Sequence, residues 1–262
     1  MEKIIGIDEV GRGCVAGPIV CASFSLDCKT LLNICRVAKE VYSKETKERR
    51  KKALERLAKL TYYDYKQVQN SNYKIQNEEI KTSSKIYENI SSNLDILSLV
   101  FDSKKVTEKN RKIATEFLLN FGNFGIGVVS NSIIDNRGIQ FSNKLAMLKS
   151  LSPHFSIYYI LNSKYYVLTD HLDPRGIDYN IEKNFDFFTS DKMDSKSFVT
   201  ACASIIAKVY RDTLMEIYHN KFPHYGFINN VGYGTPLHIQ KIKELGICPI
   251  HRKTLLNNYI QI

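Results

Sequence analysis

The chain has 262 residues, 44% of them apolar and 24% charged, with a formal net charge of +10 and a pI near 9.2. This composition suits a globule with one core, or one core and an appendage, and the positive surplus favours a polyanionic partner, nucleic acid before membrane. No apolar run reaches the roughly 18 residues that span a bilayer, so no membrane partner is expected.

The six cysteines, Cys14, Cys21, Cys28, Cys35, Cys202 and Cys248, form no C-x-x-C pair. That argues against zinc and for reduced core residues in a cytoplasmic protein. The chain opens directly on a strand-like run, so no secretory leader is expected.

Ile4-Ile5-Gly6-Ile7 reads as a buried strand that delivers Asp8 and Glu9 to its end. Gly11-Arg12-Gly13 follows as a turn, and Val15 to Phe24 reads as a second buried strand, the hairpin partner of the first. Adjacent carboxylates at the mouth of an apolar strand are costly unless paired or bound to a metal. Consecutive strand residues face opposite ways, so the two can share an ion only where the strand ends and twists. On the residues alone, a solvated strand end before an ordinary glycine turn fits as well.

Residues 28–98 differ in character, with 15 Lys/Arg against 9 Asp/Glu. Val37, Val41, Ala53, Leu54, Leu57 and Leu60 recur at helical spacing, so Arg36 to Leu60 reads as a long basic helix with a polar middle. Thr61 to Asn93 carries no clear pattern. Either a solvated surface excursion or an added nucleic-acid contact fits the whole stretch.

Leu94 to Phe101 is an apolar run, a short strand or the end of the basic stretch. Asp102-Ser103-Lys104-Lys105 then precedes a helix. A hydroxyl, lysines and a helix N-terminus favour an anion, although an N-capped surface helix, with Asp102 or Thr107 as the cap, reads the same way. Ser43 to Arg49 is a weaker copy of this motif. Gly125 to Asn131 reads as a strand, followed by Ile133-Ile134-Asp135 and a helix running to Leu151.

Tyr165 to Thr169 is an apolar strand ending at Asp170. Asp102, Asp173 and Asp178 compete with Asp170 for the role of a strand-end carboxylate. A loop or hairpin spans Leu172 to Ser190. Lys192-Met193-Asp194-Ser195 then leads into the small-residue helix Phe198 to Lys208, whose Ala201, Ala203 and Ala207 permit close approach to a sheet. Asp194 is a metal ligand or a plain N-cap on this reading. Lys208 and Arg211 either meet phosphate or pair with Asp212 or Glu216. From His219 onward come Tyr225-Gly226-Phe227, Gly232-Tyr233-Gly234-Thr235, a helix from Pro236 to Leu245 closed by Gly246, and Cys248-Pro249-Ile250-His251-Arg252. The six histidines show no metal-site spacing.

Asp8-Glu9-Val10-Gly11-Arg12-Gly13 with Ala16-Gly17-Pro18 resembles the N-terminal signature of the type 2 ribonucleases H, bacterial ribonuclease HII in particular. The Asp-Ser-Lys-Lys, Met-Asp-Ser, Tyr-Gly-Phe, Gly-Tyr-Gly-Thr and His-Arg segments continue the resemblance over residues 1–27 and 99–255. Phe101, His171, Met193, Val231 and Leu255 depart from the family's usual residues.

The resemblance implies an α/β fold, a ribonuclease H-like mixed sheet flanked by helices with a C-terminal helical extension. It divides the chain into a catalytic domain, 1–218, in which 28–98 is a basic helical insertion, and a small extension, 219–262, that completes the substrate site. It implies Asp8, Glu9, Asp170 and Asp194 as carboxylates holding two Mg2+ or Mn2+ ions. Such an all-oxygen set suits hard cations. It implies that Gly11, Arg12 and Gly13 read the ribose 2′-hydroxyl with Tyr233 beside them, and that Ser103, Lys104 and Lys208 meet phosphate. The implied activity is hydrolysis of RNA in RNA–DNA hybrids and cutting 5′ of single ribonucleotides in duplex DNA, by a monomer, leaving 5′-phosphate and 3′-hydroxyl ends. A type HIII-like nuclease without junction specificity, or a silent hybrid-binding protein, is the alternative.

Overall fold

The computed structural model describes residues 3–70, 84–154, 165–170 and 185–260. Five strands form one sheet: β1 (Lys3–Val10), β2 (Ile19–Asp27), β3 (Asn123–Val129), β4 (Tyr165–Thr169) and β5 (Phe185–Thr189), in the order β3-β2-β1-β4-β5. β1 pairs antiparallel with β2 and parallel with β4, β2 pairs antiparallel with β3, and β4 pairs parallel with β5. The hairpin partner starts at Ile19, later than the apolar run suggests. Gly17 has a φ of 83° and Pro18 follows it, so residues 11–18 remain a loop.

The helices are α1 (Cys28–Lys44), α2 (Glu48–Asn70), α3 (Ser84–Ser92), α4 (Leu94–Leu97), α5 (Glu108–Phe121), α6 (Asn131–Arg137), α7 (Ile139–Leu151), α8 (Phe198–Lys221), α9 (Phe227–Asn230), α10 (Pro236–Leu245) and α11 (Lys253–Leu256). Strand alternation splits the core in two. Ile4, Phe24, Leu26, Tyr166 and Leu168 pack on one face with α1, α2, α5 and α8. Ile5, Ile7, Ile19, Cys21 and Val167 pack on the other with Ile134, Ala146, Met147 and Leu151. Gly6 makes the contact with α8 possible: a Cβ there would lie 2.2 Å from the backbone of Val199 and Thr200.

The single helix expected from Arg36 to Leu60 is two. Glu45 adopts an extended backbone, and its Oε1 accepts the N–H groups of Thr46 and Lys47 at 3.0 and 2.9 Å. The stretch is no solvated excursion on its inner face. Leu31, Ile34, Leu54, Leu57 and Val68 are buried in the main core, and Asp64 Oδ2 accepts the Val199 N–H at 3.1 Å. Leu94 to Phe101 contains α4 rather than a strand. The helix expected through Leu151 is divided at Gly138, which has a φ of 80°.

A third cluster joins the loop after β1 to the C-terminal part, through Val15, Ala16, Met215, Phe227, Ile242, Ile250 and Leu256. All six cysteines are free thiols and buried. Among the described residues no helix is long and apolar enough to cross a membrane. His171, Asp173, Asp178 and most of the Leu172–Ser190 loop lie outside the described residues.

Candidate active site

β1 and β4 run parallel with Ile7 opposite Thr169. One step further along both strands stand Asp8 and Asp170, on the same side of the sheet by alternation. Glu9 faces the other way. The two partners of the pair show it: Asp8 is hydrogen bonded to Ser204 of α8, and Glu9 to Asn143 of α7. The two carboxylates therefore meet only at the strand end, where Gly11, with a φ of 91°, turns the chain away.

Asp194 arrives from a single 3-10 turn, Met193–Ser195, just ahead of α8. Met193 is 1% exposed and anchors that turn in the core. The preceding Lys192 takes a left-handed backbone, φ 54°, and its N–H donates to Asp170 Oδ1 at 2.9 Å. The turn and the strand end are thereby tied together.

Asp8, Glu9, Asp170 and Asp194 line one cleft of about 340 Å³, together with Asp102, Ser103, Lys104, Lys208 and Tyr233. Burial raises Asp8 well above the ordinary carboxylate range, and the charges of Glu9 and Asp194 push it further. Burial also raises Glu9, with Arg12 opposing and Asp170 adding to the rise. Asp194 rises by burial and by repulsion from Asp102 and Asp170, against Lys104. Carboxylates crowded in this way call for a cation, and the lining contains no histidine or cysteine. The donor set therefore fits Mg2+ or Mn2+ rather than zinc. Among the described residues no three acidic, histidine or cysteine side chains already stand as a closed cluster, so the carboxylates form an open wall.

Asp102 and Asp170 both reach the cleft, which explains why the sequence did not separate them. Their surroundings differ. Asp102 is paired with Lys105 at 3.1 Å and accepts the Lys104 N–H at 3.1 Å. Asp170 follows the strand beside Asp8.

The phosphate candidates divide in the same way. Lys104 is exposed at the cleft. Ser103 is buried, its hydroxyl 2.9 Å from that of Ser204, so it supports the side chain that holds Asp8. Lys208 pairs with Asp212 at 2.7 Å. The rival segment Ser43–Arg49 lies at the α1–α2 junction, outside the cleft lining. Arg12 and Gly13 are exposed beside the cleft, and a Cβ added at Gly13 would meet nothing within 4 Å.

The family profile described as Ribonuclease HII matches residues 5–98 and 93–258. The chain belongs to this family. Ribonuclease HII of Clostridium beijerinckii is 31% identical over 98% of this chain and 68% of its own length. The crystal structure of ribonuclease H2 from Pyrococcus horikoshii superposes with a TM-score of 0.57 at 20% identity, covering 96% of this chain and 93% of that one. Bst-RNase HIII in complex with Mn2+ superposes with a TM-score of 0.54 at 15% identity, covering 97% and 64%. The fold is the ribonuclease H-like one, and family membership makes this chain a type 2 ribonuclease H, a nuclease of RNA–DNA hybrids.

Several residues that shape the ribonuclease HII site carry no sequence signal of their own. Arg211, read as a phosphate ligand or an ion-pair partner, is fully buried. It donates to the carbonyls of Pro18 at 3.2 Å, Ala16 at 3.1 Å and Val231 at 2.7 Å. Arg252 is equally buried and donates to the carbonyls of Gly17 at 2.8 Å and Arg12 at 3.1 Å. Two guanidinium groups thus bind the loop after β1, which carries Gly11–Gly13, to the C-terminal segment, which carries Tyr233. Only the Cys-Pro-Ile-His-Arg and small-residue-helix patterns hinted at either arginine.

Proposed function

We propose that this chain is an endoribonuclease that cuts RNA in RNA–DNA hybrids and cuts duplex DNA 5′ of a single embedded ribonucleotide, with two divalent cations held by Asp8, Glu9, Asp170 and Asp194. The observation that carries the reading is the convergence of these carboxylates, from two parallel strand ends and the turn before α8, on one cleft without histidine or cysteine. When bound, Mg2+ or Mn2+ supplies activation of an attacking water and neutralisation of charge at the phosphorus.

The chain's own residues supply the rest. Ser204, backed by Ser103, fixes the Asp8 carboxylate. The Lys192 N–H fixes Asp170. Lys104 offsets the negative charge near Asp194 and offers an exposed cation to a phosphate. Gly11 is buried against Arg211 and sets the turn, while open space at Gly13 lets the exposed backbone of the Gly11–Gly13 turn approach a ribose, whose 2′-hydroxyl both donates and accepts hydrogen bonds. Tyr233, 43% exposed at the cleft, packs on the adjoining sugar. The products carry 5′-phosphate and 3′-hydroxyl ends. We further propose that the enzyme acts as a cytoplasmic monomer with 1–218 as its catalytic unit and 219–262 as the part that completes the substrate site.

The test maps products from two substrates in Mg2+ or Mn2+, a long RNA–DNA hybrid and a DNA duplex with one ribonucleotide. The reading expects cleavage of both, with the second cut immediately 5′ of the ribonucleotide. Cutting of the hybrid alone would overturn the role given to Gly11–Gly13 and Tyr233 and favour a type HIII-like specificity.

A further inference from the structure

We infer that His238 and His251 form a buried positioning pair that fixes the backbone of Tyr233, and so sets how its ring meets the ribose. The inference rests on the reading of Tyr233 as a substrate contact. The Cys248 N–H donates to His251 Nδ1 at 2.8 Å, so that nitrogen is an acceptor and the neutral ring carries its proton on Nε2. The Nε2 atoms of the two rings are 3.1 Å apart. His251 therefore donates to His238, whose own proton lies on Nδ1 and donates to the Tyr233 carbonyl at 2.7 Å. Three bonds point one way, from the Cys248 turn to Tyr233.

The same carbonyl accepts the Thr235 N–H at 2.9 Å, and the Tyr233 N–H donates to the Asn230 carbonyl at 2.8 Å. The Tyr233 peptide is thus held from three directions. Neither histidine lines the cleft. His238 is fully buried and His251 is 2% exposed. Phe227 packs edge-on against His238 at 5.3 Å, and Tyr225 edge-on against His251 at 4.9 Å.

The relay works only with both rings neutral, since a proton on His251 Nδ1 would face the Cys248 N–H. The titratable groups around the pair are the Tyr225 hydroxyl, which donates to the Gly246 carbonyl, the Cys248 thiol and, on the pocket that His251 also lines, Asp135 and Lys253, the Lys253 N–H donating to the Asp135 carboxylate at 3.0 Å. The Arg252 guanidinium points away, to Gly17 and Arg12. Burial holds both histidines below their ordinary value, His251 at about 4.

The experiment compares His238→Leu, His238→Asn and Tyr233→Ala on the hybrid and on the single-ribonucleotide duplex. His238→Leu removes two of the three bonds, and loss of the one to the Tyr233 carbonyl is expected to lower cleavage at the single ribonucleotide about tenfold, with the hybrid cut within about threefold of wild type. His238→Asn, whose amide N–H takes the place of Nδ1–H, restores most of the loss. Selectivity lost in Tyr233→Ala but kept in folded His238→Leu overturns the pair alone. Wild-type selectivity in Tyr233→Ala overturns the Tyr233 reading and the pair with it. Ring-nitrogen NMR of the unaltered protein near neutral pH tests the relay without any variant. It expects protons on His251 Nε2 and His238 Nδ1, and the opposite tautomer at either ring refutes it.

Discussion

Arg211 Nη1 donates to the carbonyl of Val231 at 2.7 Å, at a residue whose backbone has a φ of 40°. A β-branched side chain is an outlier in that region, so the bond holds a strained turn immediately before Gly232-Tyr233. The other two nitrogens of the same guanidinium donate to the carbonyls of Ala16 and Pro18, in the loop after β1. One side chain of α8 therefore sets the spacing between the two segments proposed above to read the ribose.

Replacing Arg211 by Met keeps much of the buried stem and leaves three carbonyls without their donor. Denaturant unfolding should show a loss of about 3 kcal/mol. Cleavage at a single ribonucleotide should fall further than cleavage of a long hybrid, because both recognition segments loosen together. Equal losses on the two substrates would deny Arg211 this role.

Gly6→Ala places a Cβ 2.2 Å from the backbone of Val199 and Thr200. The obstruction is backbone, so α8 must move off the sheet, and overpacking of this kind costs about 3 kcal/mol. Urea unfolding measures it. A variant as stable as the wild type would mean that α8 does not press on β1 as described.

Asp170 and Asp102 share the cleft but differ in their neighbours, Asp170 accepting the Lys192 N–H and Asp102 pairing with Lys105. Asp170→Asn is expected to lower single-turnover cleavage by about three orders of magnitude, comparable to the loss of other central active-site groups. Asp102→Asn, which removes a carboxylate already paired with Lys105, should cost less than about tenfold, in line with a partly exposed ion pair. The reverse ranking would make Asp102 the ligand.

Asp64 of α2 is buried against the start of α8, and its pKa is raised by burial to about 7 from the ordinary 3.8, against bonds from Ser197, Val199 and Phe198. The native state holds a proton there that the unfolded chain releases. Stability from this group is full below pH 3.8 and is lost as pH rises through about 7, by roughly 4 kcal/mol in all. Asp64→Asn should therefore gain stability relative to wild type between pH 5 and 8, as read by thermal melts in matched buffers. A difference that does not change with pH would show that Asp64 is ionised throughout.

The strands and the acidic positions were legible because each is written locally. Ile4 to Glu9 carries its burial and its charge in one short run, and Tyr165 to Asp170 repeats the design. The helix after Asp194 announced its close packing through small residues. What the sequence did not show is made by contacts between distant segments. Arg211 is charged and sits three residues from Lys208, so its spacing reads as a surface pair. Only the meeting of residues 16–18 with 231 reveals three carbonyls waiting for it. His238 and His251 are thirteen residues apart with no ligand spacing, yet they touch. The basic stretch looked solvated because its charge dominates its composition, while one apolar stripe per helix was enough to place it in the core.

If the cleft carboxylates hold the ions on which cleavage depends, removing either the ions or one carboxylate must stop it. The most direct measurement is single-turnover cleavage of an RNA–DNA hybrid by wild type and Asp8→Asn, with Mg2+, with Mn2+ and with a chelator. Wild type is expected to cleave with either ion and not with the chelator, and Asp8→Asn to lose about three orders of magnitude. Cleavage that persists in the chelator, or an Asp8→Asn enzyme within about tenfold of wild type, would contradict that role of the carboxylates.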